Sequence, residues 1–243
     1  MAGKNSLKDN LKAVRQRIAE AAVKARRDPA GIQLVVVTKG QPISAVRQAI
    51  ELGELDLGES RVQDLRERAA TAGEFLAQCS EGLHRGVRWH MIGHLQRNKV
   101  KSLLPLVHMV HSVDTLRLAE AIDETARKLT GQPVPILLEV NCSGERQKFG
   151  VPVGAVQHLA EQISSLKGVQ LLGVMTMAPV VDDAEKARPT FIRMRELFEE
   201  MVRCRWAGPT FRHLSMGMSQ DYGVAIEEGA TIVRIGTAIF QGT

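Results

Sequence analysis

The residue best placed to do chemistry in this chain is a lysine that follows a short, strongly apolar run. Leu34-Val35-Val36-Val37 reads as a strand buried on both faces; Thr38-Lys39-Gly40 comes next, and Pro42 opens a helix. A lysine just past a buried strand points its amine at a place where loops can build a pocket. In an apolar pocket, burial disfavours the ammonium form and lowers its pKa, leaving a nucleophilic amine able to form a Schiff base. The alternative is a solvated lysine on a strand-to-helix loop, and this stretch alone leaves both open. The far end of the chain supplies two further parts of a site. In Val233-Arg234-Ile235, alternation puts Arg234 on the opposite strand face from its apolar neighbours. A guanidinium does not deprotonate and is costly to bury unpaired, so Arg234 needs a partner, either a carboxylate or a ring nitrogen of a ligand. Around it, Gly236-Thr237 offers unhindered N–H groups and a hydroxyl. The loop Ser215-Met216-Gly217-Met218-Ser219-Gln220-Asp221 leads into a helix and supplies the other half of an anion cup.

Alternating strands and helices must carry these residues. Apolar runs at 34–37, 55–57, 87–92, 107–111, 134–140, 169–175, 210–214 and 231–235 read as strands. Segments at 43–52, from 61, and at 95–104, 115–129, 152–166, 183–203 and 219–228 read as helices, with Ser112 and Asp114 as candidate caps for 115–129. The pattern is that of an α/β protein, a single (β/α)8 TIM barrel, and about 250 residues suit one such barrel. Barrels commonly build a phosphate site from the loops after strands seven and eight, where the two cup halves lie. An open doubly wound sheet competes, but no GxGxxG opens a strand-to-helix turn. Residues 1–31 are expected to form an N-terminal helix ending near Asp28-Pro29 and packed on the barrel of residues 32–243, one domain overall, through Leu7, Leu11, Val14, Ile18, Ala21, Ala22 and Ala25. Only 237–243 follow the last strand, so no second domain is expected.

The net charge of +5 is confined to one place. Residues 1–31 hold eight basic and three acidic residues, which leaves 24 of each in the remainder. A neutral body argues against a nucleic-acid footprint. No apolar run nears the roughly 18 residues of a membrane span, and the N-terminus has no signal-peptide core. Cys79, Cys142 and Cys204 lack CxxC spacing, so neither disulfides nor a zinc site are expected, and a cytoplasmic location is. His90 and His94, and likewise His108 and His111, are spaced so that their side chains diverge, which argues against a metal. Met175, Met177, Met216 and Met218 are expected around a ligand or in the core. Arg97, Lys99 and Lys101 read as a solvated helix face.

A reactive lysine, an anion cup and an arginine at one barrel face point to pyridoxal 5'-phosphate, PLP. The stretches VVVTKG, LGESRVQDL, WHMIGHLQRNKVK, HSVDTLRLAEAI, VNCSGERQKFGV, LLGVMTMAP and LSMGMSQDYGVAIEEGATIVRIGTAIF, spread over residues 34–240, resemble the PLP homeostasis protein family, related to the N-terminal barrel domain of alanine racemase. The resemblance implies Lys39 as the Schiff-base lysine, Arg234 facing the pyridine nitrogen, and Ser219, Gly236 and Thr237 holding the phosphate. The chain departs from the family where Ser60 replaces an asparagine, Gln41 stands near where the family has a second lysine, and Gln241 replaces a glycine. The first is expected to alter one polar contact near the cofactor, the second to remove an alternative Schiff-base site and the third to affect only the tail, with the main constellation untouched.

Two functions follow. One is a carrier that holds PLP in intracellular homeostasis and delivers it to apo-PLP enzymes, without catalytic residues; a monomer is expected. The other is a PLP-dependent amino-acid racemase. An arginine at the ring nitrogen weakens the ring as an electron sink, and two-base racemisation needs a second base. In the racemases that base is a tyrosine from a separate domain, whereas Tyr222, the single tyrosine here, lies just beyond the cup. A class I aldolase-like barrel would use Lys39 but leave Arg234 unexplained.

Overall fold

The computed structural model describes residues 6–78, 86–145 and 147–242, so Cys79 lies outside the described residues. Among them nine parallel strands run β1 (Gln33–Val37), β2 (Asp56–Glu59), β3 (Arg88–Met91), β4 (Val107–Val113), β5 (Val134–Asn141), β6 (Val151–Pro152), β7 (Val169–Met175), β8 (His213–Ser215) and β9 (Ile232–Ile235). Pairing proceeds from β4 through β3, β2, β1, β9, β8 and β7 to β5, and β4 also pairs with β5. Eight strands therefore close on themselves as a barrel, and the two-residue β6 hangs on β5 outside the wall.

Strand alternation divides the core in two. Val35 pairs with Arg234, and both turn inward; Leu34 with Val233 and Val36 with Ile235 turn outward. The inner layer holds Val35, Met109, Leu137, Leu172, Met175 and Ile232. The outer layer, between wall and helices, is much larger and mostly aliphatic. The helices that cover it are α1 (Leu7–Lys24), α2 (Ile43–Glu51), α3 (Val62–Gln78), α4 (Val100–Leu103), α5 (Leu116–Leu129), α6 (Val156–Ser164), α7 (Arg188–Cys204), α8 (Tyr222–Glu227) and α9 (Thr237–Phe240).

α1 opens with a capping box in which Ser6 and Asp9 satisfy each other's backbone. Its apolar stripe packs on α8 and α9, and the Asn10 amide donates to the carbonyls of Ile239 (3.0 Å) and Gln241 (2.9 Å). Its basic face is partly neutralised by the body: Arg15 pairs with Glu54 at 2.6 Å and Lys24 with Glu227 at 2.7 Å. α1 ends at Lys24 rather than at Asp28, because Arg26 takes a left-handed φ of 55° and breaks the helix; Asp28 instead caps a short 3-10 turn. Other ends also shift. β4 runs on to Val113, so Thr115, not Ser112 or Asp114, caps α5 by accepting from the Leu118 N–H. Residues 151–155 form β6 and a 3-10 turn, which delays α6 to Val156. β8 begins at His213 rather than 210.

Among the described residues, no helix is long and apolar enough to cross a membrane. Cys142 is buried against Met194, and Cys204 is exposed.

Candidate functional site

A cavity of about 530 Å³ opens where the strands end at their C-terminal sides, the face on which barrels keep their loops. Lys39 enters it from the turn after β1. Gly40 in that turn has φ +73°, which needs no strain only because it is glycine. The turn is fastened from beneath: the buried Thr38 hydroxyl donates to Glu59 at 2.5 Å, and Arg68 spans Glu59 (2.9 Å) and the Gln41 carbonyl (2.7 Å). Burial pushes the Glu59 carboxyl up, against the opposing pull of the Thr38 hydroxyl and Arg68. Lys39 itself is exposed at the cavity wall, which is the solvated one of the two alternatives that the sequence leaves open. Among the described residues it is the one lysine lining this cavity.

Arg234 lies deeper, 4% exposed. Its Nη1 donates to Ser215 Oγ at 2.5 Å and its Nη2 to the Thr176 carbonyl at 3.0 Å. Among the described residues no carboxylate forms an ion pair with it, so the structural-partner alternative is met by a hydroxyl and a carbonyl. Burial pulls its guanidinium down to about 10, with Glu139 and Asp221 opposing, so it stays charged at neutral pH.

The two halves of the anion cup meet. Ser219 Oγ accepts from the Ala238 N–H at 3.2 Å, which ties the loop after β8 to the start of α9. The preceding N–H groups at the start of α9 have no partner within the helix, as at any helix start. A Cβ on Gly236 would stand 2.9 Å from the Val37 carbonyl, so only glycine lets β9 run out so close against β1. Asp221 braces the loop by accepting from the Met218 N–H at 2.6 Å. Lys39, Arg234, Ser219, Gly236 and Thr237 all line the one cavity.

One expectation needs correction. Gln41 and Gln241, expected not to touch the main constellation, line the same cavity, as does Ser60, expected near the cofactor, because the turns after β1 and β2 and the end of α9 converge on it. Tyr222 does not line it; the ring is buried on the outside of the barrel beneath Arg17, 5.4 Å from its centroid. His90 and His94 diverge as their spacing predicts; His90 turns into the barrel interior and meets His111 of the adjacent strand at 2.9 Å. His94 instead stands at the rim, stacked on Phe149 at 4.0 Å. Met177 and Met218 line the cavity, whereas Met175 and Met216 are core. Arg97, Lys99 and Lys101 are exposed.

Glu139 is the site residue that reading the sequence missed. It is 3% exposed, lines the cavity from β5, and has its carboxyl pushed up to about 7 by burial and by Asp114, with Arg234 pulling the other way. β1 and β5 lie four strands apart around an eight-stranded ring, so Lys39 and Glu139 approach from opposite walls. The signal was present in Leu137-Leu138-Glu139-Val140: a carboxyl in the middle of an apolar strand needs a reason as much as Arg234 does.

Known proteins resemble this arrangement closely. The family described as "Alanine racemase, N-terminal domain" matches residues 4–243. The chain is 39% identical over 232 residues to the pyridoxal phosphate homeostasis protein of Aquifex aeolicus, covering 96% of each. It is 36% identical over 238 residues to the protein of that name from Bos taurus, covering 95% of this chain and 85% of that one. PipY of Synechococcus elongatus PCC7942, solved with PLP bound, superposes with a TM-score of 0.77 at 31% identity, covering 92% of this chain and 99% of PipY.

Proposed function

This chain belongs to the pyridoxal phosphate homeostasis protein family, and from that membership we propose that it binds PLP in the cavity at the strand ends and serves PLP homeostasis in the cytoplasm, handing the cofactor on to apo-PLP enzymes. The observation that carries the reading is the convergence of Lys39, Arg234, Ser219, Gly236 and Thr237 on one cavity. The donor set fits the cofactor part by part. The Ser219 and Thr237 hydroxyls and the N–H groups from Gly236 onward suit a phosphate. Lys39 supplies an amine for covalent attachment of an aldehyde. Arg234 presents a fixed positive charge towards a ring nitrogen and so disfavours its protonation. When bound, PLP supplies an electrophilic aldehyde carbon and an electron-withdrawing ring. An exposed lysine suits a carrier, because an amine open to solvent can exchange its covalent partner without a lid having to open.

One observation favours a second reading, a racemase. Glu139 faces Lys39 across the cavity and titrates near neutrality, as a second acid–base group would. The relatives, however, are named for homeostasis and not for a reaction. Incubating the PLP-loaded protein with single amino-acid enantiomers in deuterated water separates the two. The carrier reading expects reactivation of an apo-PLP enzyme and no inversion. Formation of the opposite enantiomer over many turnovers, dependent on both Lys39 and Glu139, would establish the racemase.

A further inference from the structure

Behind Arg234 a file of polar side chains runs through the barrel interior to its other end. Ser215 Oγ, which accepts a hydrogen bond from Arg234 Nη1 at 2.5 Å, lies 3.1 Å from His111 Nδ1. His111 Nε2 is 2.9 Å from His90 Nδ1, and His90 Nε2 is 3.0 Å from Asp56 Oδ1. Asp56 is held in turn by Arg88 through bonds of 2.7 and 2.5 Å. Ser215, His111 and His90 are fully buried, while Asp56 and Arg88 begin β2 and β3 and so sit at the barrel end remote from the cavity.

The two ends limit the bond directions between them to two arrangements. A guanidinium has only donors, and an ionised carboxylate only acceptors. Although burial opposes it, the hydrogen bonds from His90 and Arg88 hold Asp56 below the usual carboxylate range, so it accepts. Arg234 must therefore donate to Ser215, and the hydroxyl's one proton is left for His111 Nδ1. A neutral His111 then carries its proton on Nε2 and gives it to His90 Nδ1, and His90 carries its own on Nε2 and gives it to Asp56. Burial, with the neighbouring Arg234 charge, disfavours a second proton on His111. The competing arrangement has a doubly protonated His90, which turns His111 round to donate from Nδ1 and leaves Ser215 accepting from both sides.

We propose that Ser215, His111 and His90, anchored by Asp56, are positioning residues that hold the Arg234 guanidinium in the orientation it presents to the cofactor ring. The proposal rests on the reading that Arg234 faces that ring. Among the described residues the Arg234 side chain has one other acceptor, the Thr176 carbonyl; without Ser215 oriented from below, the guanidinium is held by that single tether. Chained hydrogen bonds between buried groups polarise one another, so the file is stiffer than its separate links.

The test has two arms on the full-length chain. Nitrogen-15 NMR of the histidine rings at neutral pH, with and without PLP, should find His90 and His111 both neutral with the proton on Nε2. A ring proton on His111 Nδ1 overturns the proposal. In the second arm the absorbance maximum and Kd of bound PLP are measured for Arg234→Gln, Ser215→Ala and His111→Phe. Ser215→Ala and His111→Phe should shift the maximum in the same direction as Arg234→Gln and weaken PLP about tenfold, while borohydride still traps the cofactor. Ser215→Thr, which keeps a hydroxyl, should restore the wild-type spectrum, and Ser215→Ala covers the case in which His111→Phe does not fold. If Arg234→Gln shifts the spectrum and Ser215→Ala does not, the positioning role is wrong while the cofactor-facing role of Arg234 stands. If Arg234→Gln itself leaves the spectrum unchanged, both fall.

Discussion

Replacing Glu139 with glutamine should remove a pH dependence of stability that this one carboxyl imposes. Burial and Asp114 raise its pKa from the ordinary 4.5 to about 7, in spite of Arg234. A carboxyl raised in the folded state binds its proton more tightly there than in the unfolded chain, so stability falls as pH climbs between the two values. At about pH 5.5 the folded protein keeps the proton that the unfolded chain has mostly released; at about pH 8 both have lost it. Linkage over that interval gives a loss of about 2 kcal/mol in the wild-type protein from this group. Glu139→Gln is uncharged throughout and should lose none of that amount. Urea denaturation of both proteins at the two pH values gives the difference directly, since other titrating groups contribute nearly equally to each. Stability curves that run parallel from about pH 5.5 to 8 would mean that Glu139 is not the desolvated carboxyl described.

Arg234→Glu should favour protonation of the cofactor ring nitrogen and shift the absorbance of bound PLP while the barrel stays folded; a spectrum unchanged at full occupancy would return Arg234 to a purely structural role. Ser219→Ala and Thr237→Val should each weaken PLP about tenfold, as loss of one hydrogen bond to a charged group does, with little change in the wavelength of the bound form. Equilibrium dialysis checks the first effect and absorbance the second.

Most of the barrel was legible because its physics is local. A run such as Leu34-Val35-Val36-Val37 can be buried on both faces only in a covered parallel sheet, and Asn, Ser, Asp and Gly residues punctuate the runs. Loop residues at strand ends follow from the fold, which is why spacing and resemblance together bring Lys39, Ser219, Gly236 and Thr237 to one cavity. What spacing does not reveal is side-chain meeting across strands. His90 and His111 are 21 residues apart, and their contact depends on the register between β3 and β4, including its irregularity at Trp89 and His90. The apolar length of 134–140 marks it as a strand but says nothing of where Glu139 points. The exposure of Lys39 was equally out of reach, since it depends on whether surrounding loops close, and loop closure is not written in the strand. The convergence of Gln41, Ser60 and Gln241 is tertiary in the same sense.

The most direct test of PLP binding at this cavity is to load the purified chain with PLP, reduce with borohydride, digest, and locate the adduct by mass spectrometry. Among the described residues, Lys39 is the one lysine lining the cavity, so the expected result is a single modified peptide containing Lys39. Lys39→Ala should show no adduct but keep weak, reversible binding through Ser219, Gly236 and Thr237. An adduct on any other lysine in the wild-type protein, or an undiminished adduct in Lys39→Ala, would contradict the site described.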